Sequence, residues 1–143
     1  MSNQVDFLTP RFVGARFEKH SLPLDIPTRL DELSRLSDGW LDGRGRALDA
    51  QGLQWLGNSF SANLDSQLPL PYLYPTAEGG VQAEWSINKW EVSLEIDLIQ
   101  ESGEYQALNI ETDEVQDFRY DLNNSEDWRA INDHLRKLKD NRA

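Results

Sequence analysis

Val81-Gln82-Ala83-Glu84-Trp85, then Ser86-Ile87-Asn88-Lys89, then Trp90-Glu91-Val92-Ser93-Leu94-Glu95-Ile96-Asp97 is the stretch that decides how this chain folds. Apolar and polar residues alternate one by one on both sides of the link, which is the period of a β-strand with one covered face. The four residues 86–89 suit a tight reversal, so the two runs are expected to pair as an antiparallel hairpin that sets Glu84 across from Glu91. Alternation turns the Trp, Val, Leu and Ile side chains toward a core. It gathers Gln82, Glu84, Glu91, Glu95 and Asp97 on the opposite, solvated face.

Downstream of the hairpin, Ser102-Gly103 marks a turn into a third strand over residues 105–110, and a fourth strand is expected near residues 118–122. The chain then reads as a helix. Ser125 is placed to cap it, Glu126 and Asp127 occupy its first turn, and Arg136, Lys137 and Lys139 complement the dipole at its end. Trp128, Ile131, Leu135 and Leu138 make its apolar stripe.

Upstream, Tyr72-Leu73-Tyr74 is an aromatic strand candidate bounded by Pro69, Pro71 and Pro75. Leu53, Leu56, Phe60 and Leu64 form a helical stripe that Asp49 is placed to cap, and Gly52 and Gly57 weaken that helix by about 1 kcal/mol each relative to Ala. A shorter helix after Pro27 carries Leu30, Leu33 and Leu36, with Thr28 as its expected cap. Residues 11–17 alternate well enough for a short strand. The expected fold is α+β: a four-stranded antiparallel meander with helices before and after it packed on one face, in a single domain over residues 1–143.

Charge is distributed unevenly. The chain carries a net charge of −11, and residues 77–127 hold fourteen acids against Lys89 and Arg119, so one third of the chain concentrates the acid. Such a patch repels phosphate backbones and anionic lipid and attracts basic surfaces, so direct nucleic-acid or membrane binding is not expected. The absence of cysteine excludes a disulfide framework and a cysteine nucleophile. The first residues lack a basic start and a long apolar run, and no segment has the length of a membrane span, which points to a cytoplasmic protein.

Two groups of residues resemble stretches of small hypothetical bacterial proteins. Residues 12–17 with His20-Ser21-Leu22-Pro23-Leu24-Asp25 resemble an N-terminal segment of proteins from mobile-element and defence loci. Gly39-Trp40-Leu41-Asp42-Gly43-Arg44-Gly45, together with residues 70–85, resembles a bacterial family of similar length. These resemblances imply a bacterial or phage origin and carry no activity, cofactor or catalytic residue with them.

Several constellations carry residue types that can do chemistry. Asp38, Asp42, Gly43 and Asp49 fall on four places of a calcium-loop template, but Trp40, Gly45 and the short side chain of Asp49 break it, and the stretch reads as a glycine-rich connector. The glycines lack the lysine of a phosphate-cradling loop. His20 and His134 have no acid or nucleophile at a recognisable spacing. The carboxylates of the hairpin face fit a metal-dependent hydrolase in principle, yet no His or Cys accompanies them, and charge runs usually mark wet surface. Trp55, Trp85, Trp90 and Trp128 lie on apolar faces and are expected in the core, whereas Trp40, in its glycine-rich loop, is a candidate aromatic anchor.

The expected function is therefore binding rather than catalysis, with no cofactor and no bound metal. The chain reads as an acidic interaction protein of the antitoxin, immunity or inhibitor type that docks a basic protein, through Gln82, Glu84, Glu91, Glu95, Asp97 and Trp40. A metal-dependent hydrolase using the same carboxylates and a structural subunit of a larger bacterial assembly are the alternatives. The oligomeric state is left open by the sequence.

Overall fold

The computed structural model describes residues 22–140. The strand expected at residues 11–17, and His20, lie outside the described residues. The order is α1 (Ile26–Ser34), α2 (Ala50–Asn63), β1 (Tyr72–Pro75), β2 (Val81–Ile87), β3 (Trp90–Asp97), β4 (Ser102–Asn109), β5 (Val115–Asp121) and α3 (Ser125–Asp140). The fold class is α+β as expected, but the sheet has five strands in the order β1-β2-β3-β4-β5, all neighbours antiparallel. The added strand is Tyr72–Pro75. Its prolines shorten it without excluding it, because an edge strand leaves half of its amides outside the ladder.

The expected alternation holds across the hairpin. Val81, Ala83, Trp85, Ile87, Trp90, Val92, Leu94 and Ile96 are buried, and they join Leu30 and Leu33 of α1, Leu53, Leu56 and Phe60 of α2, and Trp128, Ile131 and Leu135 of α3 in one core. The helices thus cover one face of the sheet. The indole N–H groups of the buried Trp85 and Trp128 are satisfied by the carbonyls of Pro69 and Leu122, each at 2.9 Å, as buried donors require.

The reversal is tighter than the sequence suggested. Ile87 pairs with Trp90, so only Asn88 and Lys89 turn the chain, with Asn88 in the left-handed region at φ 55°, a conformation that Asn tolerates better than most residues. The amide of Asn88 also donates to the carbonyls of Leu138 and Lys139 at the end of α3. That shorter turn shifts the register: Glu84 faces Ser93, and Ser86 faces Glu91.

Two of the expected caps move, by three residues at α1 and by one at α3. Asp25, not Thr28, caps α1, accepting from the Thr28 amide at 3.2 Å and hydroxyl at 3.0 Å, and Pro27 sits in the first turn, where a missing N–H costs nothing. At α3 the Asn124 side chain accepts from the Glu126 amide at 2.8 Å and its carbonyl takes the Trp128 amide, so Ser125 is the first helical residue. Asp49 caps α2 as expected, through the Gly52 amide at 2.8 Å. Asn132 is buried within α3 and ties it to the end of α2, donating to the Asn63 carbonyl at 2.8 Å and accepting from the Asp65 amide at 3.1 Å.

Candidate interaction surface

Antiparallel register lays the side chains of the sheet's outer face in rows that cross the strands. One row runs Tyr74, Gln82, Glu95, Glu104, Arg119, and the next runs Tyr72, Glu84, Ser93, Gln106, Asp117. Neighbouring members of a row are cross-strand pairs, the distance at which like charges repel and unlike charges attract. Glu95 therefore stands directly beside Glu104, a like-charged pair. Arg119 follows on the far side of Glu104 and bonds it at 2.7 Å; both side chains are more than half exposed, so this ion pair adds little to stability.

A third carboxylate reaches the row from the turn between β1 and β2. Thr76 builds that turn, accepting the Gly80 amide on its hydroxyl at 2.9 Å and the Gly79 amide on its carbonyl at 3.0 Å. Gly80 lies so close to β3 that a Cβ there would stand 2.5 Å from the carbonyl oxygen of Ile96. The turn is thereby pressed against β3 with Glu78 at its tip. Glu78, Glu95, Asp97, Glu104 and Arg119 line one hollow of about 410 Å³.

Burial shifts the Glu95 carboxyl above its usual range, and the charges of Glu78 and then Glu104 push it the same way. The residue as a whole is exposed, so this desolvation is local to the crowded hollow. A carboxylate whose ionisation is opposed by its surroundings is a group that an incoming cation would relieve.

The residues expected at the interface separate into three sets. Glu91, Glu95 and Asp97 share the outer face and are exposed. Glu91 accepts the Ser86 hydroxyl on both oxygens at 2.9 Å, and Asp97 spends one oxygen on the amides of Ile99 and Gln100. Gln82 and Glu84 are on the same face, but Glu84 is only 5% exposed and takes a bond from the Gln82 amide at 2.6 Å, so it adds little to the solvated charge. Trp40 is not on a strand of that face but in the connector between α1 and α2. Its indole N–H donates to the Arg46 carbonyl at 2.8 Å and its ring lies over Gly45, where a Cβ would stand 2.8 Å from it. The ring is half-buried against its own loop.

Glu78, Glu104 and Arg119 were not among the expected site residues. Starting the third strand at Tyr105 left Glu104 in a turn, whereas the strand begins at Ser102. Counting the alternation back from Tyr105 puts Glu104 on the same outer face as Glu95.

The connector acids serve local structure. Asp38 accepts the Ala47 amide at 2.8 Å and Asp49 caps α2. Among the described residues no group of three or more His, Asp or Glu side chains is placed to hold a metal ion, on the sheet face or in the connector. His134 packs flat on Phe118, with ring centroids 4.4 Å apart, within a cluster that includes Tyr105 and Tyr120. Burial lowers its basicity, Lys137 adds to that, and Asp133 opposes it.

The chain matches no protein-family model, no curated protein and no solved structure at a significant level. Among the described residues no helix is long and apolar enough to cross a membrane.

Proposed function

We propose that this protein is a non-enzymatic, acidic interaction protein of the antitoxin, immunity or inhibitor type, acting in the cytoplasm by docking its outer sheet face onto a basic surface of a partner protein. The observation that carries the reading is the hollow in which Glu95 is crowded by Glu78 and Glu104. An arginine or lysine from a partner would neutralise a site whose own charges repel, and Glu91 and Asp97 extend the negative field along β3. A surface that normally holds nucleic acid has the complementary charge, and a protein occupying it would act as an inhibitor by exclusion.

The test is affinity purification from the producing cell. Basic proteins retained by the wild-type protein at low salt should be released as salt rises and missing from a Glu91→Lys/Glu95→Lys/Glu104→Lys variant that still folds. Retention of the same proteins by the variant, or a complex indifferent to salt, would count against the reading.

A further inference from the structure

The two edges of the sheet are unlike. β1 is four residues long, ends at Pro75, and has its Leu73 carbonyl taken by the Arg29 side chain at 2.8 Å, which blunts it against further pairing. β5 is seven residues long, has no proline, glycine or lysine, and pairs with β4 in an unbroken register from Ser102 opposite Asp121 to Leu108 opposite Val115. Among the described residues nothing pairs with its other edge.

The backbone bonds flanking the β4–β5 ladder show which groups that edge presents. The Asn109 amide donates to the Glu114 carbonyl and the Leu122 amide to the Glu101 carbonyl. In the alternating antiparallel pattern, Gln116, Phe118 and Tyr120 then direct their backbone groups at β4, and Val115, Asp117, Arg119 and Asp121 direct theirs outward. The Asp121 amide is already bound by the Asp127 carboxylate at 2.7 Å, consistent with that assignment. The open groups are those of Val115, Asp117 and Arg119.

We propose that a second copy of this chain pairs antiparallel along the outer edge of β5, with Asp117 of each copy opposite Arg119 of the other. Hydrogen bonding permits only registers that set the outward-directed residues against one another. The neighbouring register on one side sets Asp117 against its own copy, and the neighbour on the other side sets Arg119 against Arg119 and Asp117 against Asp121. Of these three registers only the one centred on Phe118 places unlike charges opposite, twice by symmetry. A further shift, centred on Tyr120, would set Arg119 against Asp121, whose amide is already bound by the Asp127 carboxylate and whose carbonyl is taken by the Asn124 amide. Arg119 keeps donors for this second carboxylate while bonded to Glu104, because a guanidinium carries five N–H groups. The same register makes Phe118 a close, non-hydrogen-bonded pair with its own copy on the helix side of the sheet. Phe118 is 40% exposed, and its ring, already stacked on His134, gains cover there. The interface is isologous and closes on itself. It does not depend on the docking function: Arg119 also lines the acidic hollow, but Asp117 does not, and self-association is read without any partner present.

The test is sedimentation velocity over a wide concentration range, with circular dichroism to establish that each variant is folded. The wild-type protein should show a monomer–dimer equilibrium. Asp117→Arg and Arg119→Asp should each weaken association roughly tenfold or more, since each turns both charge pairs repulsive. An equimolar mixture of the two variants should dimerise again, because one edge then carries two cations and the other two carboxylates. A wild-type protein that stays monomeric, single variants that dimerise like wild type, or a mixture that fails to recover would each overturn the proposal.

Discussion

Glu95 is the residue at which charge, burial and register meet. Desolvation first, then Glu78 and Glu104, raise its carboxyl above the ordinary range. A group whose folded-state pKa is raised binds its proton more tightly in the folded protein, so its ionisation costs stability as pH rises through that value, and the cost is absent in acid. Glu95→Gln is therefore expected to stabilise the protein at neutral pH, and the advantage should vanish as pH falls to about 3, below the ordinary glutamate range. Urea denaturation at the two pH values measures it. A variant less stable than wild type at neutral pH would mean that the Glu95 charge is already compensated. Gly80 has the complementary role of holding the Glu78 turn close: its missing Cβ is what lets the turn lie on the Ile96 carbonyl.

At the scale of elements, α2 and α3 are joined by more than apolar contact. Asn132 satisfies the carbonyl of Asn63 and the amide of Asp65 just where α2 stops, and Arg136 of α3 bonds the Asp65 carboxylate and Asp133. Asn132→Leu leaves two poorly solvated backbone groups without partners and should lower the unfolding free energy by about 2 kcal/mol, read from the urea midpoint; an unchanged midpoint would show that water serves these groups equally well. The fold is legible in the sequence where one signal dominates. Alternation located β2 and β3 and their buried face, and Asp49 marked the start of α2. Features set by geometry between elements are not legible in that way. The cap of α1 moved to Asp25 because Pro27 can occupy the first turn, β1 joined the sheet despite its prolines, and the turn at Asn88 used two residues where the composition suited four. That last difference separated Glu84 from Glu91, and the carboxylates that are neighbours, Glu95 and Glu104, are paired by the register of β3 with β4. Asn132 carried no signal at all, since a polar residue among apolar helix positions looks the same whether it is wet or buried.

For the whole molecule, the helices and the acid divide the sheet between them. One face is consumed by the core, and the outer face of β3 to β5 presents Glu91, Glu95, Glu104 and Asp117 with Arg119 alone in opposition. A net charge of −11 makes any basic molecule a weak, salt-sensitive ligand through long-range attraction, so affinity alone does not locate a docking surface. The location of the contact does. The most direct measurement is a titration of the isotopically labelled protein with an oligo-arginine peptide, followed by amide NMR shifts. The proposed function predicts that shifts concentrate on Glu78, Glu95, Asp97 and Glu104 and their strand neighbours, and are lost in Glu95→Lys/Glu104→Lys. Shifts spread evenly over the acidic residues of the loops and helices, or unchanged by the double substitution, would contradict it.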